Sequence, residues 1–312
     1  MVKLMEQFID VFAHVLPPLF KNKMLEIVPD ALKENAWMEH PLLSNLQKRV
    51  DTIAKGHQEI ISVVNLNPED YVGPAESLNL CRQANTELKS IVSQYQEYFP
   101  QAVAMIPMNN IDGACQIIEE DVAKDSTFAG IQLFTRALGH SITNPAYQPI
   151  FELMNQINKP IWLHPVFDKR KPDNNVTFSW EYELTIAMNS IVQAQYFEQY
   201  PNLKIIVHHA GAMVPFFAER IRYTQNEQNY QDFKKFFVDT ALLGNPKALE
   251  LTVDFFGIDH VLFGTDAPLG IPPIGATKTI EDALTQTNLK ENDLEKIFHQ
   301  NWKQMQKGIT NE

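Results

Sequence analysis

The sequence predicts an α/β fold, a TIM (β/α)8 barrel, and three observations carry that reading. Eight short apolar runs recur along the 312 residues. Each is apolar on both faces, as strands buried in a parallel sheet are. Amphipathic helical patterns separate the runs, and that alternation builds a parallel sheet with helical crossovers. Eight is also the count that closes a barrel. An open doubly wound sheet has less support, because no Gly-rich fingerprint follows the first strand.

In chain order the runs are FIDVFA, EIISVV, AVAMIP, FAGIQLF, PIWLHP, LKIIVHH, KFFVDTA and HVLFGTD. The helical patterns between them include AESLNLCRQANTELKSIVSQY, which sets Leu78, Cys81, Leu88, Ile91 and Val92 on one side, and YELTIAMNSIVQAQYFEQY. The connection after the first run, from Pro17 to about Arg49, holds Trp37 and His40. It is long enough to form a lid over the barrel mouth. A last helix, DLEKIFHQNWKQMQ, closes the chain. No low-complexity tract or long charge block interrupts this order, so residues 1–312 read as a single domain.

Composition narrows the function classes. The chain is 45% hydrophobic and 21% charged, which describes a soluble globular protein. Its formal net charge is −12 and it has no basic run, which argues against nucleic acid as a partner. No apolar run reaches the roughly 18 residues of a membrane span. The first residues, MVKLMEQFID, lack the apolar core and small-residue cleavage site of a signal peptide. Cys81 and Cys115 both sit in helical patterns, with no CxxC pair, as expected of free thiols in a reducing cytoplasm.

In a barrel of this kind the reacting groups project from the C-terminal ends of the strands. Strand one ends at His14, with Phe12 on the same face two residues earlier. Strand five ends at His164, strand six at His208 and His209, and strand eight at Asp266. A lone strand-end histidine is more often a hydrogen-bonded surface group than a ligand. Four of the nine histidines at strand ends, facing one mouth with an aspartate, instead form a donor set suited to a divalent ion. A further histidine can then act as acid or base. Adjacent strand residues face opposite ways, so only one of His208 and His209 is expected to reach the site. Arg136, after strand four, either holds a carboxylate or caps a helix. Asp239, on strand seven, either orients a neighbour or lies in a turn.

Taken in order, IDVFAHVLPP, GIQLFTRALGHSITNPAYQPIFELMNQINKPIWLHP, YPNLKIIVHHAGAMVPFFAERI and HVLFGTDAP resemble the amidohydrolase superfamily. The resemblance lies in its amidohydrolase-related branch, which includes aminocarboxymuconate-semialdehyde decarboxylase and γ-resorcylate-type decarboxylases, and it covers nearly the whole chain. It implies one divalent metal ion, zinc or manganese, held by His14, His164 and Asp266. It also implies a strand-six histidine as catalytic acid or base. The spacing of six residues to Pro215 selects His209 over His208. Strand four carries no lysine, so a dinuclear site bridged by a carbamylated lysine is not expected. One position departs: the first strand of the family usually ends His-x-His, and here it reads Phe12-Ala13-His14. Three protein donors leave an open position, with metal binding weaker than in a four-ligand relative and tightened by Phe12→His.

The function expected is a metal-dependent decarboxylase of a small unsaturated or aromatic carboxylic acid. The alternatives are a metal-dependent hydrolase of a lactone or amide, and a catalytically impaired barrel kept for binding. In the first reading His209 moves the proton, with Asp266 assisting, and Arg136 and Arg49 bind the carboxylate. Trp162 and Trp180 form an apolar wall. The branch is commonly dimeric, and the Phe-rich stretch MVPFFAERI would supply an interface for a homodimer.

Overall fold

The computed structural model describes residues 7–310. The stretch read above for a signal sequence lies, up to residue 6, outside the described residues. Seven strands follow the chain in spatial order: β1 Phe8–Val15, β2 His57–Val63, β3 Gln101–Ala104, β4 Phe128–Phe134, β5 Ile161–His164, β6 Ile205–Val207 and β7 Phe237–Val238. Every neighbouring pair is parallel. The seven match the first seven apolar runs.

The eighth run closes the barrel as an irregular stave. On one side Val261 bridges Val238 and the Leu262 N–H donates to the Val238 carbonyl at 2.8 Å. On the other side Val11 N–H reaches the Phe263 carbonyl at 2.8 Å and Asp266 N–H reaches the Phe12 carbonyl at 3.0 Å. The crowding explains the irregularity. A Cβ at Gly264 would lie 2.7 Å from the Asp239 Cβ and 3.2 Å from the Phe12 Cβ. Only glycine lets these three backbones approach so closely.

Strand β1 carries a bulge, a register shift between Asp10 and Ala13 against β2. Its effect is visible in packing. Val11 and Phe12, adjacent in sequence, both belong to the apolar cluster inside the barrel, which strict alternation forbids. Asp10 locks the bulge. Its carboxylate accepts the Phe12 N–H at 2.9 Å and the Thr265 N–H at 3.1 Å, and Thr265 Oγ1 donates to it at 2.5 Å. Burial, followed by the nearby charge of Glu59, pushes the Asp10 pKa up to about 7.

The inner cluster also holds Ile9, Ile60, Val103, Trp162 and Leu262, and the C-terminal helix Asn301–Thr310 adds Trp302 and Met305. That helix therefore stoppers the end of the barrel where the strands begin, leaving the strand C-termini open. The larger apolar cluster lies between the sheet and the surrounding helices. Among the described residues no helix is long and apolar enough to cross a membrane. Cys81 and Cys115 are free thiols.

Asp10→Ala is expected to lower unfolding stability by about 1–3 kcal/mol, because it strands the Phe12 and Thr265 N–H groups inside the barrel. Urea unfolding followed by tryptophan fluorescence measures this. An unchanged midpoint would show that the bulge holds without its clamp.

Candidate metal centre

Four side chains meet at the C-terminal mouth of the barrel. Each of His14, His164, His208 and Asp266 offers one donor atom, and these atoms all lie within 4.8 Å of one another. The three histidines are fully or almost fully buried. His14 Nε2 lies 3.2 Å from Asp266 Oδ1, and His208 Nε2 lies 3.5 Å from the same oxygen. Neither nitrogen makes a hydrogen bond. Two buried ring nitrogens converging on one carboxylate with no hydrogen bond of their own are costly unless a ligand completes them.

Acceptor-only partners on the outer ring nitrogens fix the tautomers of His164 and His208. His164 Nδ1 donates to the Pro165 carbonyl at 2.9 Å, leaving Nε2 as the inward lone pair. His14 Nδ1 sits 3.0 Å from Ser62 Oγ. His208 Nδ1 donates to the Asp239 carboxylate. Asp239 is itself held by the Ala210 N–H at 2.9 Å and the Ala241 N–H at 3.0 Å. Of the two roles left open for Asp239, the structure gives it the orienting one.

Electrostatics favour ligation. Burial, then the closeness of the His14 and His208 rings, beside which a second positive charge would be repelled, holds the His164 pKa well below the usual imidazole range. Burial likewise lowers that of His14, although the Asp266 carboxylate opposes it. Both rings are thus neutral, the form that binds metal. Burial opposes charge on Asp266 too, but its contacts with His14 and His208 hold it below the ordinary carboxylate range and keep it ionised. Burial also opposes charge on His208, yet Asp239 and Asp266 together raise it to about 10. A divalent ion supplies that positive charge in place of the proton. Three imidazoles and one carboxylate on a common centre fit a single divalent ion.

Beside the centre is a cavity of about 590 Å³. His164, His209 and Asp266 lie on its lining with Glu181, while Trp37, Val64, Trp180, Leu242 and Leu269 make its walls. The first connection does reach the mouth, through Trp37. His209 Nδ1 lies 2.7 Å from Glu181 Oε1, and because a carboxylate only accepts, Nδ1 carries the proton and Nε2 is left free. Glu181 and Trp180 come from the first turn of the Ser179–Gln193 helix, where the helix dipole favours an acidic side chain. The Trp180 Nε1 and Glu181 Oε2 atoms are buried without hydrogen-bond partners.

Four expectations need correction. First, His208 and His209 do not separate to opposite faces. The strand ends at Val207, and His209 has φ +53°, so alternation no longer applies; the two rings stand 4.1 Å apart. His208 joins the donor group and His209 faces the cavity. Four protein residues, where three were expected, therefore offer donor atoms to the centre. Second, Arg49 lies outside the cavity lining, fully buried in an ion pair with Glu59 at 2.9 Å. Third, Arg136 also lies outside it, paired with Glu183 at 2.8 Å and Asp168 at 3.5 Å. Fourth, Trp162 fills the barrel interior, its indole N–H on the Val11 carbonyl at 2.7 Å, whereas Trp180 does line the cavity. Sequence reading missed Glu181, whose only signal is its place beside Trp180 after strand five.

A (β/α)8 barrel with a histidine and aspartate centre at its strand ends defines the amidohydrolase class of proteins. Residues 10–301 match the amidohydrolase family, and the chain belongs to it. Among curated proteins it is similar to 6-methylsalicylic acid decarboxylase of Penicillium expansum, with 23% identity over 83% of this chain and 84% of the relative. Among solved structures it is similar in fold to 5-carboxyvanillate decarboxylase from Sphingomonas paucimobilis, with a TM-score of 0.82 and 16% identity, covering 96% of this chain and 99% of that one. It also resembles a manganese-bound dihydroxybenzoic acid decarboxylase from Polaromonas, with a TM-score of 0.77 and 18% identity over 97% of both chains.

Titration calorimetry of metal-stripped protein with manganese or zinc is expected to show one ion bound per chain. His164→Ala is expected to abolish saturable binding. Binding that survives this change would move the centre elsewhere.

Proposed function

We propose that this protein is a metal-dependent decarboxylase of a small aromatic or unsaturated carboxylic acid. One observation carries the reading: a four-donor centre opens onto an apolar cavity that also presents a histidine backed by a carboxylate. The cavity volume suits one substituted ring. Trp37 and Trp180 offer flat faces to such a ring. The relatives named above act on phenolic acids, which supports the aromatic branch of the proposal.

His14, His164, His208 and Asp266 would hold the ion, zinc or manganese. When bound, it supplies Lewis-acid polarisation of the substrate oxygens. The protein's own groups do the rest. His209 takes up a proton from solvent at Nε2, the nitrogen that Glu181 leaves open, and delivers it to the carbon bearing the carboxylate. The bond from that carbon to the carboxylate then breaks, CO₂ leaves, and the bonding pair restores the conjugated system. Glu181 fixes the His209 ring and its Nδ1 proton, so that Nε2 points at the substrate. The apolar walls favour the step, because an anionic carboxylate becomes a neutral gas in a site that solvates charge poorly. Asp266 stays ionised, serving the ion first and proton traffic second.

The test is CO₂ release by metal-loaded enzyme against salicylate-type, dihydroxybenzoate-type and muconate-type acids, run beside a panel of lactones and amides. CO₂ from an aromatic acid supports the proposal. Lactone or amide hydrolysis without CO₂ release would overturn it in favour of a hydrolase. No turnover of any compound by metal-loaded protein would leave the binding-protein reading. His209→Asn is expected to lower kcat by about 10²–10⁴-fold with the metal retained. Glu181→Gln should reduce kcat more than it raises KM, since it loosens the proton donor and not the ion.

We also propose a homodimer. Phe216, in the Phe-rich stretch after strand six, is 77% exposed, and Tyr223 nearby is 79% exposed. Large rings so exposed favour burial against a second copy. Light scattering at micromolar concentration should give twice the chain mass, and Phe216→Asp should halve it.

A further inference from the structure

Phe12 and His208 stand in an unusual relation. Their rings are stacked, with centroids 3.9 Å apart and planes 16° apart. Both rings look at the same two neighbours from similar distances. The Phe12 ring is 5.7 Å from His14 and 5.9 Å from His164. The His208 ring is 5.8 Å from His14 and 5.1 Å from His164. One ring comes from strand one and the other from the end of strand six, yet they occupy adjoining, near-equivalent places on one wall of the centre.

We infer that Phe12 and Asp239 are the positioning residues of His208 within that four-donor group, and that the Phe12 and His208 places are interchangeable as ligand positions. The inference rests on the metal-centre reading above and says how that centre is built. Two constraints act on the His208 imidazole at right angles to each other. The Phe12 face fixes the plane of the ring. The Asp239 carboxylate, anchored by two backbone N–H groups, fixes its rotation about that plane and the proton on Nδ1. What remains free is Nε2, buried and unbonded, 3.5 Å from Asp266 Oδ1. Gly264 is part of the same device, since its missing side chain lets Phe12 and Asp239 converge on the ring from two sides.

The equivalence of the two places makes a specific demand: the donor should be transferable between them. The test uses full-length protein, stripped and reloaded with manganese, with ions per chain and affinity as the readout and thermal melting of each metal-free variant as the control for folding. His208→Phe should weaken binding by more than about 100-fold, beyond the loss that outer partners of a ligand cause. Phe12→His alone should leave affinity within about threefold, because the place is already filled; this reverses the tightening expected from the sequence. The exchange variant Phe12→His with His208→Phe should recover most of the lost affinity. Asp239→Asn should weaken binding by about 10–100-fold.

Wild-type protein that binds no ion would overturn the metal reading itself. Wild-type binding with unchanged affinity in His208→Phe would overturn this inference alone, and a folded exchange variant without recovery would overturn the equivalence of the two places. Cobalt(II) absorption gives a readout that does not depend on the exchange variant folding. The visible bands of His208→Gln should shift from those of wild type as a nitrogen donor is lost, and identical bands would overturn the assignment.

Discussion

The site depends on a seam. The eighth stave is too irregular to count as a strand, and it is held to β1 by backbone hydrogen bonds from Val11, His14 and Asp266, the last two lengths being 2.7 and 3.0 Å. His14 stands on one side of that seam and Asp266 on the other. Their side chains meet at 3.2 Å because the backbones are tied there, and for no other reason of sequence proximity. The Asp10 carboxylate reinforces the tie by holding the β1 bulge and Thr265 together. Barrel closure and the geometry of the centre are therefore one constraint, and damage to the first should appear in the second.

The sequence made the barrel legible because buried parallel strands are apolar on both faces, a pattern that survives without knowledge of partners. It made His14, His164 and Asp266 legible for a related reason: a polar residue ending such a run must face the mouth or strand itself in the core. It failed where local geometry leaves the regular pattern. Alternation predicts that His208 and His209 part company, but the chain turns at His209 into a positive φ, and Ala210 and Ala212 follow it there. Non-glycine residues in that region are strained, by about 1–2 kcal/mol each, and they gather where a function requires the geometry. A one-dimensional pattern has no term for this.

The arginines failed for a different reason. Arg49 and Arg136 are plausible anion holders until their carboxylates are known, and those partners lie ten and forty-seven residues away in sequence. Glu183 takes Arg136 while Glu181, two residues earlier on the same helix, turns to His209. Composition and spacing treat these two glutamates alike. Only the packing of the helix start against the barrel mouth separates a structural carboxylate from one that faces the cavity.

With both arginines committed elsewhere, no arginine or lysine is found among the described residues lining the cavity. The chain as a whole carries a formal net charge of −12. An organic anion approaching the mouth is repelled at long range and, within it, finds no cationic side chain. Apart from neutral donors such as the Trp180 indole N–H, it is the divalent ion, when bound, that would give the mouth something to exchange for the anion's hydration. Ionic strength then acts in an uncommon direction: screening the surrounding negative field speeds the encounter between two like-charged bodies. The neutral gas released on turnover, by contrast, leaves unhindered by that field.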